Sequence, residues 1–313
     1  MKVSVLTATY NRCEDIEKLY NSLVVNKNSG VEFEWLIMDD GSTDKTKLVV
    51  EGFLKQGIID VKYFTQHNMG KMVAINNLMS EVTGDICFTC DSDDYLTVEA
   101  MDIIRKHSKI LLEDDGLYAL CFLKKNERGN ISGRKFPENF MRTDMFSLYF
   151  RENMTGEKCL VFKTAVRKKY HHEIECDEKF ITESRMYNKM DLDYDILCIN
   201  EVLEIGDYKK DGYTKKGIKL KHNLEGYEKY LGSLGIYLIE KKKQGKFEKL
   251  EEKLTELRKK VKLFSRPKIV DTEENIIYRV FFGQGNINKN GYEKIKEMTE
   301  SICSYLNVMK NKF

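Results

Sequence analysis

Three short polar segments early in the chain each follow an apolar run that has the length of a strand. They are residues 7–12, 39–44 and 91–94. In open α/β sheets, ligands bind in the crevice beyond the carboxyl ends of the strands. A turn or a helix cap would be enough to explain one such segment. Three of them at equivalent strand ends predict a shared binding site.

The third segment concentrates carboxylates. Asp91, Asp93 and Asp94 lie within four residues, and unpaired carboxylates this close repel one another and raise one another's pKa. A hard divalent cation removes that repulsion, and Mg²⁺ or Mn²⁺ is held by one or two carboxylates together with substrate phosphates. The alternative is a solvated acidic turn that caps a following helix. A single residue would serve as that cap, so the cluster favours a cation site.

Residues 68–71 are suited to bind a diphosphate. Gly70 provides a turn, and Lys71 stands at the start of a predicted helix, whose amino end attracts anions. The segment is not a Walker A loop, because no glycine precedes Gly70 at the required spacing and Met72 replaces the serine or threonine of that motif. The sequence therefore predicts phosphate contacts of another kind.

Strand and helix patterns alternate along the first 125 residues and must position these segments. Apolar residues at helical spacing over 16–23 mark a first helix, and Ser42 or Thr43 is predicted to cap the helix that begins at Thr46. Strands separated by helices require crossover connections. We therefore predict an α/β fold with a mainly parallel sheet flanked by helices. The strands are predicted over 2–7, 34–38, 60–64, 85–90 and 117–123, and the further helices over 46–54, 72–80 and 98–112.

The alternation ends near residue 124, and a helical pattern dominates after 219. Residues 240–262 carry ten lysine or arginine residues against five glutamates, beside an apolar stripe that runs from Phe247 to Phe264. The stripe is interpreted as packing on its own domain. The alternative is a basic helix that contacts a membrane surface or a partner. We predict an α/β domain over 1–220 and a helical region over 221–313.

Composition argues against several classes of protein. The 313 residues include 52 lysine or arginine residues and 50 acidic ones, a balance that disfavours a surface built for nucleic acid. No apolar run approaches the ~18–20 residues of a membrane span. Of eight cysteines only Cys87 and Cys90 are close in sequence. In a strand they would point to opposite faces and could not bind one metal ion together, so they are predicted to be core residues. A soluble, cytoplasmic protein is expected.

Taken in order, the motifs resemble a known family. They are Val3-Ser4-Val5-Leu6, Thr9-Tyr10-Asn11-Arg12, the DDGSTD of residues 39–44, Asn68-x-Gly70-Lys71, Gly84-Asp85 and the DSDD of residues 91–94. This series resembles the GT-A-fold family 2 glycosyltransferases, inverting enzymes that include many bacterial cell-envelope transferases. The resemblance is specific over residues 3–112, looser to about 215 and absent beyond. Ala8 stands where the family commonly has proline, which alters the loop but removes no functional group.

The resemblance implies a role for each site residue in a GT-A-like domain that binds a nucleotide-sugar donor. Thr9, Tyr10 and Asp39 would hold the base, with Asp39 accepting from a ring N–H of uracil or thymine. Asp93 would be the main ligand of Mn²⁺ or Mg²⁺, and Asp91 would lie near both the ribose and the metal. The residues expected to contact the nucleotide are Ala8, Thr9, Tyr10, Asn11, Asp39, Asn68, Gly70, Lys71, Asp91 and Ser92.

The catalytic base is also implied by the resemblance. An inverting transferase needs a carboxylate that takes the proton of the acceptor hydroxyl, and the family commonly supplies it from a Glu-Asp pair well downstream of the metal-binding motif. Glu183 fits that position, although Ser184 replaces the aspartate of the pair. Asp177 and Glu178 are the alternatives.

The implied function is a metal-dependent hexosyltransferase reaction with inversion. A sugar would pass from a nucleotide diphosphate, most simply a UDP-sugar, to a hydroxyl of a glycan, a polyol phosphate or a lipid-linked saccharide. The basic helix over 240–262 would allow peripheral contact with the inner membrane face, and the helical stripe leaves an oligomer open. One rival is a non-catalytic nucleotide-sugar sensor or scaffold, suggested by the missing aspartate. A sugar-phosphate nucleotidyltransferase is disfavoured because residues 7–12 contain no glycine.

Overall fold

The computed structural model describes residues 1–150, 152, 154–174 and 182–207. These residues form one sheet with flanking helices. The strands are β1 (Lys2–Thr9), β2 (Glu32–Asp39), β3 (Asp60–Thr65), β4 (Ile86–Thr89), β5 (Tyr95–Leu96), β6 (Leu117–Lys125), β7 (Met141–Thr143), β8 (Lys158–Lys163) and β9 (Asp195–Ile205). The helices are α1 (Ile16–Asn26), α2 (Thr46–Gln56), α3 (Lys71–Glu81), α4 (Ala100–Glu113), α5 (Met145–Phe150), α6 (Thr164–Arg167) and α7 (Ser184–Asp193). Each element predicted before residue 125 is present, and its bounds lie within two residues of the prediction except at the end of α1, which extends three residues further, to Asn26.

The sheet is parallel where strand and helix alternate along the chain, and mixed beyond. The strand order is β3-β2-β1-β4-β8-β6-β9-β5, and β7 pairs with β9. β1 lies between β2 and β4, parallel to both, and β3 extends this parallel half. β8 lies between β4 and β6 and is antiparallel to each. Antiparallel neighbours do not require a long crossover helix. The α/β fold class is confirmed, and the antiparallel pairs of the described sheet all involve β8 or β9.

Helices cover both faces of the sheet. On one face α1, α2 and α4 pack around Trp35, and Tyr20 stacks on Phe53 with 3.9 Å between ring centroids. On the other face α3 and α7 pack against the opposite side of the same strands. Cys90 belongs to the first core cluster and Cys87 to the second. Both thiols are buried and free, so the prediction of core cysteines on opposite strand faces is confirmed.

The N-cap residue of α2 is Lys45, so the prediction of Ser42 or Thr43 as the cap is wrong. The Asp44 carboxylate accepts from the backbone N–H of Thr46 at 2.9 Å. Ser42 and Thr43 are instead bound to the loop that follows β1, through Asn11. A contact between distant loops therefore overrides the local capping preference, which is why sequence pattern alone selected the wrong residue.

The C-terminal predictions lie outside the described residues. The described chain belongs to a compact unit that spans Met1–Lys210, while the apolar stripe from Phe247 and the basic segment 240–262 are not described. The domain boundary near residue 220 stays a prediction. Within the described part, no helix combines the length and the apolar character that a membrane crossing requires.

Glu34 is a buried carboxylate in the amino-terminal half of β2, away from the strand ends that carry the polar segments. It accepts hydrogen bonds from Ser4 Oγ at 2.6 Å, from Lys62 Nζ at 2.7 Å and from the Thr83 N–H at 2.8 Å. Burial opposes its ionisation, but these donors outweigh burial and lower the pKa of Glu34 to about 2. Glu34 therefore joins β1, β2, β3 and the loop before β4.

The charge of Glu34 is expected to stabilise the fold. Its folded-state pKa lies below the ordinary value of 4.5, so the stabilisation is present above pH 4.5 and is lost as the pH falls toward 2. Glu34→Gln should lower the free energy of unfolding at neutral pH by about 3 kcal/mol, as measured by urea unfolding. The difference from wild type should narrow with falling pH. Glu32→Gln, at the exposed first residue of β2, is the control, and a pH-independent difference for Glu34→Gln would contradict the assignment.

Candidate active site

The strands bring the three polar segments to one edge of the sheet. β1, β2 and β4 are parallel, so their carboxyl ends at Thr9, Asp39 and Thr89 face the same way. Thr9 is the register partner of Asp39, and Asp91 follows shortly after β4. Two strand spacings separate β2 from β4, which places these ends roughly 10 Å apart. A single nucleotide could therefore reach all three segments.

Asn11 joins the loops that follow β1 and β2. Its φ of +53° lies in the left-handed region, which asparagine adopts more readily than most residues. Its backbone N–H donates to Ser42 Oγ at 2.9 Å, and its Oδ1 accepts from the Thr43 N–H at 2.8 Å. Asn11 therefore shapes the loop around the predicted base-binding residues.

Asp39 is buried and held in a fixed orientation. One carboxylate oxygen accepts from the Ser42 N–H at 2.7 Å and the other from the Tyr63 hydroxyl at 2.6 Å. A carboxylate has about four acceptor positions, so Asp39 keeps capacity for a ligand N–H. Beside it, Thr9 is 2% exposed and its Oγ1 has no hydrogen-bond partner among the described residues. Because buried polar groups are nearly always hydrogen-bonded, this hydroxyl marks a place for a ligand or a water.

Asp40 fixes the loop that presents Lys71, a role that sequence reasoning missed. Its carboxylate accepts from the backbone N–H groups of Met69 and Gly70, both at 2.8 Å, and its carbonyl accepts from Asn68 Nδ2 at 3.0 Å. Gly70 has a φ of +98°, a conformation that favours glycine. Asn68 and Gly70 thus shape the entry to α3. The second aspartate of the DDGS segment was the available signal, but its partner cannot be read from the sequence.

Lys71 connects three distant parts of the chain. Its Nζ lies 2.7 Å and 2.9 Å from the two carboxylate oxygens of Asp91, and 3.3 Å from Glu183 Oε1. Burial lowers the pKa of Lys71, but the charges of Asp91 and Glu183 outweigh burial and raise it above its ordinary value. The candidate base is therefore held beside the acidic turn at the end of β4.

Asp91 and Asp93 differ in their electrostatic surroundings. Burial opposes ionisation of Asp91, but the charges of Lys71 and Lys124 outweigh it and lower the Asp91 pKa. The pKa of Asp93 is raised by burial and by the neighbouring Asp91 charge. Among the described residues no ion pair engages Asp93, which leaves it available to a cation.

The acidic pair fits a cation that arrives with a diphosphate. The described part of the chain contains no group of three or more histidine, cysteine or acidic side chains placed to hold a metal ion. Mg²⁺ and related hard cations are commonly bound by one or two carboxylates, with substrate phosphates and water as the remaining ligands. Asp93, which has no ion-pair partner among the described residues, could supply such a carboxylate, whereas a resident metal held by protein alone would need more ligands.

The remaining predicted site residues have varied surroundings. Tyr10 is 43% exposed, Ala8 is half-buried and Ser92 is buried. Glu183 is the N-cap residue of α7, and 39% of its side chain is exposed. Asp177 lies outside the described residues, as does its neighbour Glu178, so both stay predictions.

His172 is packed against α3. Asn76 Nδ2 donates to the His172 carbonyl at 2.7 Å, and Asn76 Oδ1 accepts from the His172 N–H at 3.0 Å. Burial, followed by the charges of Arg167 and Lys71, lowers the pKa of His172 to about 3. His172 is therefore a neutral, packed histidine.

Comparison with known proteins identifies the family. The family model of glycosyl transferase family 2 matches residues 4–170, just over half of the chain. The chain belongs to glycosyl transferase family 2. The resemblance deduced from the motifs is thereby confirmed, as is the prediction of an enzyme class, at the level of the family.

Two curated relatives share part of the chain. The uncharacterized glycosyltransferase MG060 of Mycoplasma genitalium is 34% identical over 112 residues, which is 35% of this chain and 38% of that protein. The poly(ribitol-phosphate) beta-N-acetylglucosaminyltransferase TarS of Staphylococcus aureus is 32% identical over 117 residues, which is 36% of this chain and 20% of TarS. The chain thus spans well under half the length of these relatives.

Solved structures share the fold. TarS residues 1–349, in complex with UDP-GlcNAc, superimpose with a TM-score of 0.54 at 19% identity, covering 77% of this chain and 81% of the other. The mannosyltransferase PcManGT from Pyrobaculum calidifontis, in complex with GDP-Man and Mn²⁺, gives a TM-score of 0.52 at 19% identity, covering 73% and 63%. At this identity the likeness concerns the fold, and the predicted GT-A-like class is confirmed.

Proposed function

We propose that this family 2 member transfers a sugar from a nucleotide diphosphate donor, specifically a UDP-sugar, to an acceptor hydroxyl with inversion. The observation that carries the proposal is the pairing of Lys71 with both Asp91 and Glu183. It joins the acidic turn to the candidate base at the edge of the sheet where ligands of α/β proteins bind. The donors bound by the two structural neighbours, UDP-GlcNAc and GDP-Man, support this class of ligand.

The nucleoside is proposed to bind where β1 and β2 end. The Asp39 carboxylate keeps acceptor capacity for the ring N–H of uracil, and the unpaired Thr9 hydroxyl lies beside it in the register of the two strands. Tyr10 is exposed at the same edge and offers an aromatic face to the base. The rigid hydrogen bonds of Asp39 to Ser42 and Tyr63 hold its carboxylate in one orientation, which favours discrimination between bases.

A divalent cation, Mn²⁺ or Mg²⁺, is proposed to accompany the diphosphate. Asp93 would be its main protein ligand, because Lys71 already engages both oxygens of Asp91. When bound, such a cation supplies charge stabilisation to the departing diphosphate. The Mn²⁺ in the mannosyltransferase complex supports a metal of this kind.

Glu183 is proposed as the base that takes the proton of the acceptor hydroxyl. Its contact with Lys71 Nζ at 3.3 Å orients the carboxylate toward the acidic turn. Because attack comes from the acceptor oxygen itself, no enzyme nucleophile is required, and inversion follows from a single displacement.

The acceptor is proposed to be a glycan, a polyol phosphate or a lipid-linked saccharide. The partial likeness to a poly(ribitol-phosphate) transferase supports a polyol phosphate among these three. The region over 221–313 is proposed to contact the acceptor, a partner or a membrane surface, since residues 240–262 are rich in lysine.

Nucleotide binding gives the test. With Mn²⁺ present, UDP is expected to raise the Tm of the protein more than GDP does, and EDTA should remove most of the shift. A ligand at about 100 times its Kd stabilises the folded state by about 2.7 kcal/mol, which a thermal-shift assay resolves. UDP release from UDP-sugars, measured with added acceptors, then separates an enzyme from a non-catalytic sensor. Absence of any nucleotide-dependent shift would contradict the proposal.

A further inference from the structure

Asp94 belongs to a buried ion cluster. Its Oδ2 lies 2.6 Å from Nζ of Lys124, a residue on β6 that is 7% exposed. The same ammonium lies 3.2 Å from Glu157 and 3.5 Å from Glu204, which is buried on β9. Three carboxylates from separate parts of the chain therefore share one lysine directly behind the acidic turn.

Asp94 also closes the turn that carries Asp91 and Asp93. Its backbone N–H donates to the Asp91 carbonyl at 3.0 Å. Gly206 approaches so closely that an added Cβ would clash with the Asp94 carboxylate. The Gly206 N–H donates to the carbonyl of Lys125 at 3.0 Å, so the wall behind Asp94 is fixed to the end of β6.

A purely structural purpose would not require these charges. Buried ion pairs stabilise a fold no better than well-packed apolar residues of the same size, because desolvation costs about as much as the charges gain. What such a pair does supply is a defined direction for the side chains that it holds. Here the ion pair fixes the direction of the Asp94 side chain. Because Asp94 closes the turn, it also constrains Asp91 and Asp93.

We propose that Lys124 is a positioning residue for the cation and its diphosphate. By holding Asp94 against β6 and β9, it sets the turn of residues 91–94 so that Asp93 faces the ligand beside the Lys71–Asp91 pair. This inference rests on the proposed function of the site and adds a residue that does not itself touch the donor.

Lys124→Met tests the inference in the full-length protein. Partners behind the ligands of a metal typically change its affinity by about 10- to 100-fold, so Mn²⁺ binding in the presence of UDP should weaken by that factor. Free Mn²⁺, measured by electron paramagnetic resonance, reports this without any assay of transfer. Lys124→Arg should restore part of the affinity. Lys163→Met is the matched control: Lys163 is similarly buried on neighbouring β8 but pairs with Asp115, and its Mn²⁺ affinity should stay at the wild-type level.

Gly206→Ala provides a second variant that leaves every charge in place. The added methyl group must displace the Asp94 carboxylate, so the same loss of Mn²⁺ affinity is expected even if Lys124→Met folds poorly. Wild-type Mn²⁺ affinity in a folded Lys124→Met or Gly206→Ala protein would overturn the positioning role. A wild-type protein that binds no Mn²⁺ with UDP would instead overturn the proposed function.

Discussion

Replacing Glu183 with glutamine is expected to slow sugar transfer by about 10²- to 10⁴-fold, the usual contribution of a general base. Glutamine has nearly the same shape as glutamate but cannot accept the proton of the acceptor hydroxyl. Lys71 keeps both of its contacts with Asp91 in this variant, so the nucleotide site should remain assembled. The loss should therefore appear in kcat, while the affinity for the donor stays near its wild-type value.

The measurement for Glu183 combines two assays. Release of UDP from a UDP-sugar with acceptor present gives kcat, and the thermal shift produced by the donor gives binding. Glu173→Gln is a suitable control, because Glu173 pairs with Arg185 and Lys189 on α7 but not with Lys71. Full transfer by Glu183→Gln would move the base elsewhere, with Asp177 and Glu178 as the next residues to replace.

Replacing Asp93 with asparagine is expected to remove the response to divalent cations. Lys71 neutralises Asp91, and no described residue forms an ion pair with Asp93, so Asp93 carries the carboxylate that is available to a metal. A metal ion contributes several kcal/mol to stabilisation of a departing phosphate oxygen. Its loss corresponds to a fall in rate of about 10³-fold.

A Mn²⁺ titration of activity and of UDP binding checks the role of Asp93. Asp102→Asn is the control, since Asp102 lies on the exposed side of α4 and pairs with Arg105. The Asp93→Asn protein should keep its fold, because its carboxylate is not used in the core. An unchanged Mn²⁺ dependence in Asp93→Asn would refute the metal assignment.

The parallel half of the fold could be predicted because its signals are local. β1, β2 and β4 are rich in apolar residues, and the helices that follow the strands show apolar residues at helical spacing, as over 16–23. Parallel pairing then follows from the crossover helices, and with it the meeting of the segments after β1, β2 and β4. β8 and β9 do not alternate with helices in this way. The antiparallel pairs of β8 with β4 and β6, and of β9 with β5 and β7, therefore could not be predicted.

The parts of the site that could not be predicted depend on contacts between distant residues. Asp40 reads as another acidic residue of the DDGS segment, yet it anchors the Gly70 turn. Asp94 reads as a third candidate metal ligand, yet Lys124 draws it into the protein. In both cases the role is set by a partner about 30 residues away, which spacing along the sequence does not reveal.

A crystal structure of the protein with UDP and Mn²⁺ tests the central claim most directly. The account predicts the uracil ring against Asp39 and Thr9, an anomalous manganese peak in contact with Asp93 and the diphosphate, and Glu183 facing the open side of the diphosphate. A nucleotide bound away from the carboxyl ends of β1, β2 and β4, or a manganese ion that does not touch the 91–94 turn, would contradict it.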